Sequence, residues 1–316
     1  MSEPSVPRVT GSFVALITPF DDNGDVDYGA FRTLIEWHAE HGSSAILIMG
    51  STGEVSMLTP EERRDIITRT AAMQVTRADG RPLQLWYGCT GPSTDATIDY
   101  LRHAADAGAA GAILAAPAYI CAPADDIEAY FAECADAVEL PMGIYNNPPR
   151  VSTDLHWEAI TRLMAHPNMA VLKESTPRVG QVAQVLARRP DCAVMCCDSP
   201  NLGLVVPTMS LGGHGTANMS GNLDPAGMAT LSTPWDTPQQ STVFRETYLA
   251  MLPILDFTYS AVNPIPIKSL LNAVGMPAGP LRKPLRPLPD AYVAAGLDMV
   301  RATGLDERYG WKLPAR

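Results

Sequence analysis

The sequence predicts an α/β fold, a (β/α)8 barrel with additional C-terminal helices, and three observations lead there. Eight short apolar runs recur along the 316 residues, spaced by roughly twenty to forty residues, as in repeated strand–helix units. Most of these runs do not alternate apolar with polar residues, which suits strands of a parallel sheet buried on both faces. Between them lie amphipathic segments that open on recognisable helix starts. A doubly wound sheet is the competing arrangement, but no GxGxxG follows the first run.

Taken in order, the runs are FVALITP (13–19), AILIMG (45–50), LQLWYG (83–88), GAILAAP (111–117), MGIYN (142–146), MAVLK (169–173), AVMCC (193–197) and GGHGTA (212–217). The intervening segment TPEERRDIITRTAAM predicts a helix with Thr59 as N-cap and Pro60 at its first position. Its acidic residues fall in the first turn, where they complement the helix dipole. STDATIDYLRHAADAG predicts a helix capped by Ser93 or Thr94 and closed by Gly108. ADDIEAYFAECADAV and STDLHWEAITRLMAH follow the same plan. Beyond residue 222 the pattern becomes helical and proline-punctuated, as in STVFRETYLAMLPILDF and NPIPIKSLLNAVG. The expected organisation is a barrel over 1–222 and a helical extension over 223–316, packed on it as one domain.

Composition narrows the function classes. A net charge of -11 and a pI near 4.9 leave no basic stripe to neutralise nucleic-acid phosphates or to meet an anionic membrane surface. An anionic substrate must therefore be held by local donors. The opening MSEPSVPRVTGS contains no apolar core for a signal peptide, and no run approaches a membrane span. The cysteines (Cys89, Cys121, Cys134, Cys192, Cys196 and Cys197) form no CxxC pair and the histidines no HxH or HExxH pattern. The expectation is reduced thiols in a cytoplasmic protein without a metal.

In a barrel of this kind the working residues stand at the C-terminal ends of strands and in the loops that follow. Lys173 ends the sixth run, behind four apolar residues. An amine attacks a carbonyl only when unprotonated, and desolvation among apolar neighbours lowers its pKa and makes a Schiff-base nucleophile. A strand-end lysine that snorkels into water, or pairs with Glu174, fits the same spacing. The turn Gly50-Ser51-Thr52-Gly53-Glu54 offers small residues, hydroxyls and backbone N–H groups, which suit a carboxylate. The same residues also suit an ordinary capped turn. Tyr145 can relay protons near a carbonyl or simply pack, and Arg150 can grip a carboxylate bidentately or sit as a surface charge. His214, in a glycine-rich turn, reads as structural, as do Cys196 and Cys197. Asn263-Pro264 and Pro266 read as the start of a helix away from substrate.

Together these pieces are more specific than any one of them. From FVALITPF through GSTGE, the tyrosine after the fourth run, YNNPPR, VLKES and GGHG to NPIPIKSLLNAVGM, the sequence resembles the dihydrodipicolinate synthase/N-acetylneuraminate lyase family of class I aldolases. The resemblance implies a homotetramer built as a dimer of dimers, and no organic cofactor or metal. It implies that pyruvate, or the pyruvate part of a 2-keto acid, forms a Schiff base on Lys173. Thr52 and the backbone of its turn, Gly50 included, would hold the pyruvate carboxylate. Tyr145 would carry protons, linked through Ser51 to Tyr119 of the neighbouring subunit. The partners are then small-molecule substrates and other copies of the chain, with neither nucleic acid nor membrane.

Arg150 matches the arginine with which the family's synthases hold the carboxylate of aspartate semialdehyde, so the resemblance points first to 4-hydroxy-tetrahydrodipicolinate synthase activity. Val151-Ser152 stands where those synthases carry Thr-Gly, Cys197-Asp198-Ser199 where they carry Gly-Asp-Asp, and Ala217-Asn218 where they carry Ile-Ser. These departures place Cys197 and Ala217 beside the substrate and keep open a catabolic 2-keto-acid aldolase or dehydratase. Ala118 replaces a tyrosine common in lysine-regulated members, which puts feedback by lysine in doubt. A non-catalytic keto-acid-binding regulator is a third reading, opposed by the intact set of Lys173, Tyr145, Tyr119 and Ser51.

Overall fold

A computed structural model describes residues 9–188 and 191–314, so most of the opening segment read above as lacking a leader lies outside the described residues. Eight parallel strands close into a barrel in sequence order. They are β1 (Gly11–Ala15), β2 (Ala45–Ile48), β3 (Gln84–Gly88), β4 (Gly111–Leu114), β5 (Met142–Asn146), β6 (Met169–Glu174), β7 (Ala193–Cys196) and β8 (Gly215–Asn218). The predicted (β/α)8 architecture with C-terminal helices is the observed one.

Alternation along the strands separates two cores. Phe13, Leu47, Trp86, Ile113, Val171, Met195 and Ala217 point into the barrel. Val14, Ile46, Tyr87, Ile144, Leu172 and Val194 point outward under the helices. This double burial is why the runs read as continuously apolar. Trp86 fills the interior, meeting the Phe13 ring edge-on at 5.8 Å. It needs a glycine beside it, because a Cβ at Gly111 would stand 2.4 Å from its ring.

The β5–β6 ladder slips once. Met142 faces Met169, but Gly143 faces Val171, so Ala170 is an extra residue, a β-bulge. Ala170 and Val171 both turn into the barrel interior, and Leu172 turns out again. The slip sets Tyr145 opposite Lys173 and Asn146 opposite Glu174.

The helix starts follow local chemistry. Helix Pro60–Ala71 has a capping box in which Thr59 Oγ1 accepts from Glu62 N (3.2 Å) and Glu62 accepts from Thr59 N (2.8 Å). Such a cap stabilises a helix by about 1 kcal/mol. Ser93 caps helix Thr94–Asp106, and helix Ala124–Ala137 lies where expected. One start differs: the segment STDLHWEAITRLMAH becomes helical only at Trp157–Leu163. Its polar residues are engaged elsewhere, since Thr153 Oγ1 donates to Ala122 O at 2.8 Å and Asp154 pairs with Arg178. GGHGTA likewise forms strand only from Gly215, while His214 uses Nδ1 to accept from Val194 N at 3.0 Å. That contact makes His214 a structural residue.

Helix Pro225–Leu231 packs on β1 and β8 in the place of the barrel's eighth helix. Helices Pro238–Thr258, Ile265–Ala273 and Asp290–Thr303 then pack on one another. No helix among the described residues is long and apolar enough to cross a membrane.

Candidate active site

A cavity of about 380 Å³ opens above the interior apolar layer, at the C-terminal ends of the strands. Lys173 and Tyr145 meet there. The lysine side chain is 7% exposed, and its Nζ lies 4.4 Å from the centroid of the Tyr145 ring. Glu174 faces the other way and is not its ion-pair partner. It is fully buried behind the strands, where its carboxylate accepts from Gln181 Nε2 (2.8 Å), Thr176 N (2.9 Å) and Asn146 Nδ2 (3.3 Å). Burial pushes the Glu174 pKa up, against the pull of these donors.

The turn after β2 forms the next wall. Ser51 and Thr52 line the cavity, and the turn closes through Gly53 N to Gly50 O (3.0 Å) and Glu54 N to Ser51 O (3.2 Å). Gly53 sits in a tight space, since a Cβ there would stand 3.1 Å from Met49 N and 3.2 Å from Leu16 O, closer than ordinary contact. Thr18 Oγ1 donates to Gly53 O at 2.7 Å. Glu54, buried and left-handed (φ 55), accepts from Lys268 Nζ at 2.8 Å and from Arg282 N at 2.9 Å. Burial pulls the Lys268 pKa below its usual value, with Glu54 opposing. The N–H groups of Ser51 and Thr52 meet no acceptor among the described residues. A turn pinned from outside with free donors is an anion-binding arrangement.

The opposite wall consists of Cys197, Asp198, Ser199 and Ala217. Burial raises the Cys197 pKa, so the residue presents a neutral thiol, which suits a lining role. Asp198 accepts from Ser220 N (2.9 Å) and from the Tyr259 hydroxyl (2.7 Å). Burial, then the Asp198 charge, hold the Tyr259 pKa well above the ordinary tyrosine value. Asn218 turns away from the cavity and donates to Ser12 Oγ at 2.9 Å. Arg150 stands exposed at the mouth, in the short helical turn Pro148–Val151, with no ion-pair partner among the described residues.

Lys173, Tyr145, Ser51, Thr52, Arg150, Cys197 and Ala217 are thus brought to one cavity. Gly50 stands at the base of the turn and not on the wall. Tyr119 is not among the residues lining the cavity of its own chain and is 98% exposed, beside Ile120 at 58%.

The C-terminal segment supplies residues that the sequence reading passed over. Asn263 corrects it directly: the residue lines the cavity and its Nδ2 donates to Thr52 Oγ1 at 2.9 Å. Its polar amide in an otherwise apolar Pro-rich stretch was a usable signal. Tyr259 had none, lying at the end of an amphipathic helix. Asn147, whose amide donates to the Tyr145 hydroxyl, was visible only as part of YNNPPR.

Residues 8–301 match the profile of the Dihydrodipicolinate synthetase family. The chain is 32% identical to 4-hydroxy-tetrahydrodipicolinate synthase of Methanococcus maripaludis (strain C5), covering 87% of this chain and 92% of the relative. It is 32% identical to the protein of the same name from Methylibium petroleiphilum, over 94% of this chain and 99% of that one. The crystal structure of dihydrodipicolinate synthase from Aquifex aeolicus superposes with a TM-score of 0.85 at 28% identity, covering 94% of this chain and 98% of that chain.

Proposed function

Since the chain belongs to the dihydrodipicolinate synthetase family, whose members are pyruvate-dependent lyases and synthases of the class I aldolase type, we propose that it joins pyruvate, held as an imine on Lys173, to aspartate 4-semialdehyde. It would then act as a 4-hydroxy-tetrahydrodipicolinate synthase. One observation carries the reading: Lys173 is buried in register with Tyr145 at the floor of a cavity whose walls carry anion donors.

The chemistry follows from that arrangement. The neutral Lys173 amine attacks C2 of pyruvate, and loss of water from the resulting carbinolamine leaves a protonated imine. The imine draws electrons from the adjacent methyl group, which gives up a proton to form an enamine. The enamine carbon attacks the aldehyde carbon, a C–C bond forms, and the new alkoxide takes a proton. The amino group brought by aspartate semialdehyde then attacks the imine carbon, closes the ring as a new imine and expels the regenerated Lys173 amine. Tyr145 is the proton carrier, with Ser51 and a neighbouring subunit's Tyr119 completing the relay. Thr52 and the N–H groups of its turn receive the pyruvate carboxylate, while Arg150 receives the carboxylate of the aldehyde. Support for a Tyr119 supplied by a second copy is its exposure in its own chain, in a left-handed conformation (φ 79) that holds it outward. The assembly that fits is a homotetramer arranged as a dimer of dimers.

Borohydride added with pyruvate should attach one reduced adduct to the peptide containing Lys173, read by mass spectrometry. Lys173→Ala should abolish it with the fold retained, and Tyr145→Phe should slow turnover while some adduct still forms. A protein that stays unlabelled at saturating pyruvate is not a Schiff-base enzyme. A coupled assay with aspartate semialdehyde tests the second substrate. The uncharged side chains of Cys197, Ser199 and Ala217 on the wall they share with Asp198 favour a second reading, a catabolic aldolase or dehydratase acting on another 2-keto acid. Background turnover with aspartate semialdehyde, alongside cleavage of such a keto acid, would select it.

A further inference from the structure

We propose that Asn263 is a positioning residue for the keto acid, orienting the Thr52 hydroxyl so that its hydrogen points to the substrate carboxylate. The inference rests on the reading above, in which Thr52 meets that carboxylate.

A threonine hydroxyl has one hydrogen to give and two lone pairs to fill. Here Asn263 Nδ2 donates to Thr52 Oγ1 at 2.9 Å, across 211 residues of sequence. Thr52 is 2% exposed and Asn263 9%, and both line the cavity. As a donor, the Thr52 hydroxyl meets no acceptor among the described residues. The asparagine thus occupies the acceptor side of the oxygen and leaves the hydrogen for a ligand. The other end of the amide, Asn263 Oδ1, is buried without a partner, so this segment does not close on itself. The Ser51 and Thr52 N–H groups are unspent in the same turn, which makes a cluster of donors. An anionic group is the ligand chemistry such a cluster selects.

The arrangement also gives Asn263 a role that packing alone would not. Aspartate has nearly the same shape but, when ionised, only accepts hydrogen bonds. An aspartate at 263 would draw the Thr52 hydrogen onto itself and place a negative charge beside the incoming carboxylate.

The test measures the pyruvate concentration that half-saturates borohydride labelling of Lys173, and the KM of each substrate. Asn263→Ala should raise the half-saturating pyruvate concentration about tenfold, the scale of one lost hydrogen bond to a charged group, and Asn263→Asp by at least as much. The KM for the aldehyde should stay within about twofold. In a Thr52→Val background, neither change at 263 should add a further rise, because the residue acts through that hydroxyl. Asn263→Asp preserves size and serves if the alanine variant does not fold. Wild-type half-saturation in either Asn263 variant, or an equal rise in the Thr52→Val background, overturns the proposal while leaving the Schiff-base reading intact. No label in the unsubstituted protein removes that reading, and this inference with it.

Discussion

Among the described residues that line the cavity, only Lys173 and Arg150 carry cationic side chains, and in the proposed reaction they serve opposite ends. Lys173 is buried, whereas Arg150 is exposed at the mouth, open to an arriving anion. Arg150→Ala should raise the KM for a carboxylated aldehyde about tenfold, at the low end for a charged hydrogen bond because water screens the site. The half-saturating pyruvate concentration in borohydride labelling should not move; a parallel rise would place Arg150 on the keto acid instead. Lys173, Tyr145 and Thr52 were legible in the sequence because strand order alone locates the reacting end of a barrel. Asn263 offered only its polar amide as a signal, and the contact that defines it joins residues 211 positions apart. No local pattern states which proline-rich turn will reach back to which strand.

At the scale of elements, the helix Ile265–Ala273 acts as a brace on the turn after β2. Lys268 is buried within it and reaches Thr18 O at 2.9 Å as well as the Glu54 carboxylate at 2.8 Å. Removing one partner of a buried ion pair strands the other charge, at a cost of about 3–5 kcal/mol. Lys268→Met should therefore lower unfolding stability in urea by about that amount, and adding Glu54→Gln should restore a substantial part of it. If the double variant is no more stable than the single one, the pair is not what holds the turn. Helix existence was readable from caps such as Thr59, but the start at Trp157 was not. The capping-type residues before it are recruited into tertiary contacts with Ala122 and Arg178, and such contacts outrank local preference.

At the scale of the whole molecule, Tyr119 is the more exposed of the two exposed tyrosines among the described residues, the other being Tyr292, and its exposure bears on how copies meet. Tyr119 and Ile120 project from the loop after β4, with neither buried by its own chain. If a second copy takes up Tyr119, sites are shared between subunits and inactive variants should complement one another. Co-expressed Lys173→Ala and Tyr119→Ala chains should recover part of the activity that each lacks alone, because hybrids contain sites with one intact lysine and one intact tyrosine. Activity that stays at the level of the separate variants would confine the site to one chain. The barrel itself was legible from its eight apolar runs, but the slip at Ala170 was not, because MAVLKE reads as an unbroken run whatever its register. That extra residue has a consequence for inheritance. Loss of the single codon for Ala170 would keep the reading frame and leave every reactive side chain encoded. The strand beyond it would keep its facing, because the ladder would then alternate without a slip, with Lys173 still toward the cavity and Glu174 toward the helices. At this position the protein can absorb a change of count that, in a regularly paired stretch of strand, would turn every later side chain over, so a shortened gene would specify the same parts facing the same way.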